Sequence, residues 1–170
     1  VNDPNQDRDI VGAPAPRDAA AVPVFPPVIP LAAILVGIGL GWLWPIDLGL
    51  GRLASPFRWI GGALILAALL LGATAIVVFR RSGESEKPWE PTSEIIVRGP
   101  FRFTRNPLYL QLVLICLGLA LVLRNIWILL LTPIAAGLLQ RYAIRPEEKY
   151  LERKFGETYL AYKRRVRRWM

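Results

Sequence analysis

The chain has 170 residues, 54% of them hydrophobic and 20% charged, with a net charge of +8 and a mean hydropathy of +0.38. That apolar share exceeds the roughly 45–50% of a soluble domain and argues against a water-soluble globule. With no histidine and one cysteine, Cys116, the chain by itself excludes imidazole base chemistry, histidine-ligated metal, a Cys-rich zinc site and an intrachain disulfide.

Residues 1–27 hold six prolines together with Asp3, Asp7, Asp9 and Asp18. Such a composition builds no packed core and predicts a flexible cytoplasmic tail. It lacks the basic n-region of a secretory signal.

Four apolar runs follow, each near the length that crosses a bilayer, about 17 to 25 residues. The first spans about 27–46, with Trp42 and Trp44 placed like an interfacial belt. The second, 59–79, is uncharged and bracketed by Arg58 on one side and Arg80 with Arg81 on the other. The third, 107–123, and the fourth, 126–142, are separated by Arg124 and Asn125, which predicts a tight helical hairpin. Gly37 and Gly41 form a small-xxx-small pair suited to helix packing. No charged residue lies mid-helix to mark a transport path.

Between the second and third runs, residues 80–106 form a loop longer than a connector needs, and loops of that kind tend to be functional or disordered. Its end reads Gly99-Pro100-Phe101-Arg102-Phe103-Thr104-Arg105-Asn106-Pro107-Leu108-Tyr109. Pro107 suits the first turn of a helix and Asn106 its cap.

After the fourth run, residues 143–170 are strongly basic, and 141–170 hold ten basic and four acidic side chains. Leu151, Phe155, Tyr159, Tyr162, Val166 and Trp169 recur at three- and four-residue spacing, predicting one helix or two hinged at Gly156. The element is expected to lie on the membrane surface with its cations toward lipid headgroups, rather than on nucleic acid. Basic residues cluster in the tails and the 80–106 loop, which predicts an inner-membrane protein with both termini cytoplasmic. The fold class expected is an all-α integral membrane protein. It has about four transmembrane helices in 28–142 and an amphipathic carboxy-terminal segment in 143–170.

The segment Gly99-Pro100-Phe101-Arg102, continued by Thr104-Arg105-Asn106-Pro107-Leu108-Tyr109, then Glu147-Glu148 with Tyr150-Leu151, and Phe155-Gly156 with Tyr159 and Tyr162, resembles the isoprenylcysteine carboxyl methyltransferase and phospholipid methyltransferase superfamily. Pro88-Trp89-Glu90-Pro91-Thr92 also fits the loop before that motif. The likeness covers a little under half the chain and is in particular to short bacterial members of unassigned substrate. It implies methyl transfer from S-adenosylmethionine to a lipophilic acceptor entering from the bilayer: an isoprenylcysteine-like carboxylate, a phospholipid or a small thiol.

The implied cofactor residues are Gly99, Pro100, Arg102, Arg105, Asn106, Pro107, Tyr109, Gly118, Glu147, Glu148 and Tyr159, with Arg105 and Glu148 catalytic. Arg102 or Arg105 suits a carboxylate, the glutamates suit cationic groups, and aromatic faces attract a sulfonium. The same glutamates also suit a plain helix first turn. Relatives often carry histidine at the position of Asn106 and glycine at that of Gln111. A catalytic histidine side chain would be lost here, whereas a capping or backbone role survives asparagine. The rival reading is a non-catalytic membrane adaptor of the same fold.

Overall fold

The computed structural model describes residues 20, 22–46, 54–83, 87 and 90–169. The tail at 1–19, Arg52, Pro88 and Trp89 lie outside the described residues. The elements run α1 (Val28–Leu43), α2 (Ala54–Ser82), a 3-10 turn (Gly99–Arg102), α3 (Pro107–Val122), α4 (Ile126–Leu139), a π-helical segment (Gln140–Ile144), α5 (Arg145–Phe155) and α6 (Glu157–Arg165). Among the described residues no extended ladder forms; an isolated parallel bridge joins Thr104 to Arg167.

The four expected apolar helices are present in order, but they are not equally long. Two stretches, Ser55–Ser82 and Ile126–Phe155, are long and apolar enough to cross a membrane. The 16-residue α1 and α3 rise roughly 24 Å each, short of a hydrocarbon layer of about 30 Å. In the second long stretch the apolar part runs through Ile144 with Arg141 as its one charge, and charged residues crowd the sequence from Arg145 onward. The apolar character of this stretch therefore ends where α5 begins.

Packing in α2 is inverted relative to a soluble helix. Gly61, Ala68, Gly72 and Ala75 are buried, while Trp59, Leu66, Leu69 and Leu70 are exposed. Lipid, unlike water, does not drive leucine inward, so small residues line the interface where backbones approach. A Cβ on Gly61 would lie 2.6 Å from the carbonyl oxygen of Gly118, and one on Gly118 would lie 2.8 Å from that of Gly61. α1 meets the start of α4 in the same way: a Cβ on Gly37 would fall 2.6 Å from Ile128 Cγ1, and one on Gly41 2.6 Å from Asn125 Nδ2. The Gly37/Gly41 pair is thus an interhelical contact, as its spacing predicted.

The α3–α4 hairpin turns at Arg124, which takes a positive φ of 52°. Asn125 Oδ1 accepts from Ile128 N at 3.0 Å and its Nδ2 donates to the Gly37 carbonyl at 3.0 Å, capping α4 and fastening α1 to it. At the other end of the bundle gather the start of α1, the end of α2, the start of α3, and α5 and α6. Gly156, at φ 52° and ψ −127°, is the hinge between the last two helices, and Lys163 pairs with Glu152 across it.

The apolar stripe expected through Val166 and Trp169 is not helical throughout. α6 stops at Arg165 and Val166 is extended, with φ −118° and ψ 131°. Beyond it the chain becomes a strap whose main chain pairs with residues 104–106. Arg105 N donates to the Arg167 carbonyl at 3.0 Å, and Thr104 Oγ1 and Asn106 Nδ2 donate to the Arg168 carbonyl at 3.1 and 3.0 Å. These non-local hydrogen bonds offset the end of the helix, and Trp169 donates from Nε1 to Gln140 Oε1 at 3.1 Å.

Candidate active site

The segment before α3 turns sharply because Gly99 adopts a φ of +57° and Pro100 starts the 3-10 turn. That turn drives Phe101 into a cluster with Ala75 and Ile96. Its ring meets Phe79 edge-on at 5.2 Å, and its carbonyl accepts from Tyr162 Oη at 2.8 Å. The loop ahead of it is tied to α5 where Thr92 N donates to Tyr150 Oη at 3.3 Å. α3 then opens at the buried Pro107 and carries Tyr109, whose hydroxyl donates to Glu147 Oε2 at 2.8 Å.

The two adjacent glutamates have different partners. Glu148, 5% exposed, lies between two guanidinium groups. Arg168 grips it as a fork, Nε to Oε1 at 3.1 Å and Nη2 to Oε2 at 2.6 Å, and Arg105 Nη2 stands 3.3 Å from Oε1. The bond to Glu148 raises the Arg168 pKa above its ordinary value. Glu147, half-buried, is pushed up to about 7 chiefly by loss of water, against the lowering effect of the Tyr109 hydrogen bond. Burial likewise raises the phenols of Tyr159 and Tyr162.

Among the described residues, Arg105 carries the buried side-chain donors left unsatisfied. Its side chain is only 7% exposed, yet Nε and Nη1 have no hydrogen-bond partner. Buried donors in that state carry a penalty of about 1–3 kcal/mol each, so they ask for an acceptor. With Glu148 shared between two cations, the cluster keeps about one unit of positive charge beside the protonatable Glu147.

Two cavities share this wall. One, of about 70 Å³, is lined by polar and aromatic side chains including Thr92, Glu147, Glu148, Tyr150 and Tyr159. The other, of about 420 Å³, is mostly apolar and opens among Phe25, Pro26, Pro27, Leu108 and Leu112 at the start of α1 and α3. Phe79, Lys87, Phe101, Arg105, Asn106 and Glu147 border both.

Of the residues singled out by sequence, Arg105, Asn106, Pro107, Tyr109, Glu147, Glu148 and Tyr159 converge on these cavities. Gly99, Pro100 and Arg102 shape the turn without lining either cavity, and Arg102 is exposed. Gly118 lies against Gly61 and Ile65 of α2, where it lets two helices touch. Asn106 makes no side-chain cap to α3; its amide holds the strap through the Arg168 carbonyl instead. Phe101, Phe79, Lys87 and Arg168 were missing from the expected site. Phe101 had a signal, its place inside the Gly-Pro-Phe-Arg motif; the other three had none.

The family model described as phospholipid methyltransferase matches residues 57–158, and the chain belongs to that family. The match runs from α2 through α5 into α6 and stops before Tyr159 and the strap. A Haemophilus influenzae protein that bears only the name "Uncharacterized protein" is 43% identical over 63 residues, 37% of this chain and 100% of that protein. No solved structure matches the chain.

Proposed function

We propose that the protein is a multi-pass membrane methyltransferase that uses S-adenosylmethionine to methylate a lipophilic acceptor. The observation that carries the reading is the pair of unpartnered, buried N–H groups on Arg105, set beside Glu147 on the wall between a polar and an apolar cavity. Those residues fit the cofactor's chemistry: Arg105 for its carboxylate, Glu147 for a cationic group, and Tyr150 and Tyr159 for its flat and apolar parts. When bound, S-adenosylmethionine supplies an electrophilic methyl group on a sulfonium.

The chain's own residues do the remaining work. Arg105 orients the anionic end of the ligand. The aromatic wall of Phe79 and Phe101 excludes water, which strengthens every electrostatic contact inside. The apolar cavity takes the acceptor, whose reactive atom is directed to the shared wall, so the two reactants are held together rather than meeting by diffusion.

An anionic acceptor needs no base. For an amine or thiol, Glu147 is placed to take the proton near neutral pH, since its pKa is pushed up to about 7 and an efficient base titrates near the working pH. We assign that role to Glu147 and not to Glu148, whose two oxygens already accept from Arg168.

Basic residues support a cytoplasmic site. Arg80, Arg81, Arg98, Arg105 and the cations after Gln140 lie at the cavity end, against Arg58 and Arg124 at the other, the asymmetry expected of an inner-membrane protein with both termini inside. The test is titration of the detergent-solubilised protein with S-adenosylmethionine, followed by incubation of membranes with methyl-labelled cofactor. Saturable binding and label in the lipid fraction are expected. Absence of binding at millimolar cofactor overturns the reading.

A further inference from the structure

Arg168 stands in a run with Arg164, Arg165 and Arg167, and those three are exposed, as expected of cations facing lipid headgroups or water. Arg168 differs from them on two counts. Its carbonyl accepts from Thr104 and Asn106, which fixes its backbone against the segment that carries Arg105. Its side chain takes both oxygens of Glu148, at 3.1 and 2.6 Å.

That fork has a consequence for Arg105. A guanidinium next to an open, buried carboxylate closes on it in two parallel bonds. Here the bidentate face of Glu148 is already filled. Arg105 therefore reaches one oxygen through Nη2 at 3.3 Å and keeps Nε and Nη1 unpaired inside the site.

We propose that Arg168 is a positioning residue that holds Arg105 open for an anionic ligand group by occupying the Glu148 carboxylate. The proposal rests on the functional reading above, with the carboxylate of S-adenosylmethionine as that group. Without Arg168, Arg105 swings onto Glu148, satisfies its own donors internally, and the anion site closes. Glu148 is then a trap, and removing its charge reopens the site.

The test is a sign of epistasis read by binding rather than turnover. Cofactor affinity is measured by calorimetry on the intact protein in detergent, together with the unfolding midpoint without ligand, for wild type, Arg168→Ala, Arg168→Lys, and Arg168→Ala combined with Glu148→Gln. Arg168→Ala is expected to weaken cofactor binding by roughly tenfold to a hundredfold, the worth of one charge-assisted hydrogen bond. Arg168→Lys, which has no fork, falls between. The double variant recovers most of the lost affinity, and added guanidinium ion partly restores Arg168→Ala.

A strap that only staples the fold predicts the reverse: a double variant weaker than the single one, with affinity tracking the unfolding midpoint. That result, or wild-type affinity in Arg168→Ala, overturns the proposal while leaving the cofactor reading intact. A wild-type protein that binds no cofactor removes both. Should Arg168→Ala fail to fold, Arg168→Lys with and without Glu148→Gln gives the same sign.

Discussion

Replacing Arg105 with methionine separates a ligand-binding role from a structural one, because the two make opposite demands on the folded protein. In the ligand-free site Arg105 has two unpaired buried donors and one contact to Glu148 at 3.3 Å. Removing the guanidinium relieves about 1–3 kcal/mol for each unpaired donor. Against this, a buried carboxylate stripped of its partner loses about 3–5 kcal/mol. Glu148 is not stripped, since Arg168 remains on both oxygens, and the loss falls well below that range. The gain matches or exceeds the loss, so the ligand-free stability of Arg105→Met should not fall below that of wild type.

Cofactor binding should respond very differently. Two charge-assisted hydrogen bonds at roughly 1.5–3 kcal/mol each correspond to a loss of at least about a hundredfold in affinity. The assay is thermal unfolding in detergent with and without S-adenosylmethionine, alongside calorimetric titration. A variant that unfolds many degrees early, yet binds cofactor like wild type once folded, refutes the assignment and makes Arg105 a structural ion-pair partner.

Adjacent glycines in α2 give a second contrast. Gly61→Ala places a methyl group 2.6 Å from the Gly118 carbonyl oxygen and 2.9 Å from Val122 N, backbone atoms that cannot yield, and should destabilise by about 1–3 kcal/mol. Gly62→Ala meets nothing within 4 Å and should stabilise by up to about 1 kcal/mol through helix propensity; equal unfolding midpoints for the two would refute the α2–α3 contact. Glu147 sets a pH dependence. Its folded pKa, about 7, lies above the ordinary 4.5, so the native state holds this proton more tightly than the unfolded chain. Its contribution is most favourable below about pH 4.5 and is lost as pH rises toward about 7. Unfolding midpoints of wild type and Glu147→Gln should therefore diverge across that window to the disadvantage of wild type, and parallel curves would show that the carboxyl is not desolvated.

The four apolar helices were legible because run length and hydropathy are local properties. Their ends were less so. α2 was expected over 59–79 and is found at Ala54–Ser82, because polar residues such as Ser55, Arg80 and Arg81 continue a helix whose apolar part alone marks the bilayer. Val166 and Trp169 were misread for a different reason. Apolar residues three and four apart suit a helix face, but here the main chain finds partners at Thr104, Arg105 and Asn106. Hydrogen bonds over some sixty residues of separation leave no periodic trace. Arg168 was hidden by its neighbours, since a fourth cation in a basic run is indistinguishable from the other three until its carboxylate is known.

The glutamate pair shows how the site divides its labour. Consecutive residues on a helix point about 100° apart, so Glu147 and Glu148 cannot share one task. α5 turns Glu148 toward Arg168 and Arg105, where it is a fixed anion holding two cations in register. The same turn of helix leaves Glu147 half-buried with the Tyr109 hydroxyl as its partner, and loss of water pushes its pKa up to about 7. Asn106 belongs with the first group: a single N–H donor meets the Arg168 carbonyl, and a neutral histidine has such a donor as well. An asparagine can therefore hold the strap as a histidine would, and on the proposed reading Arg105 and Glu147 carry the chemistry of this end of the bundle.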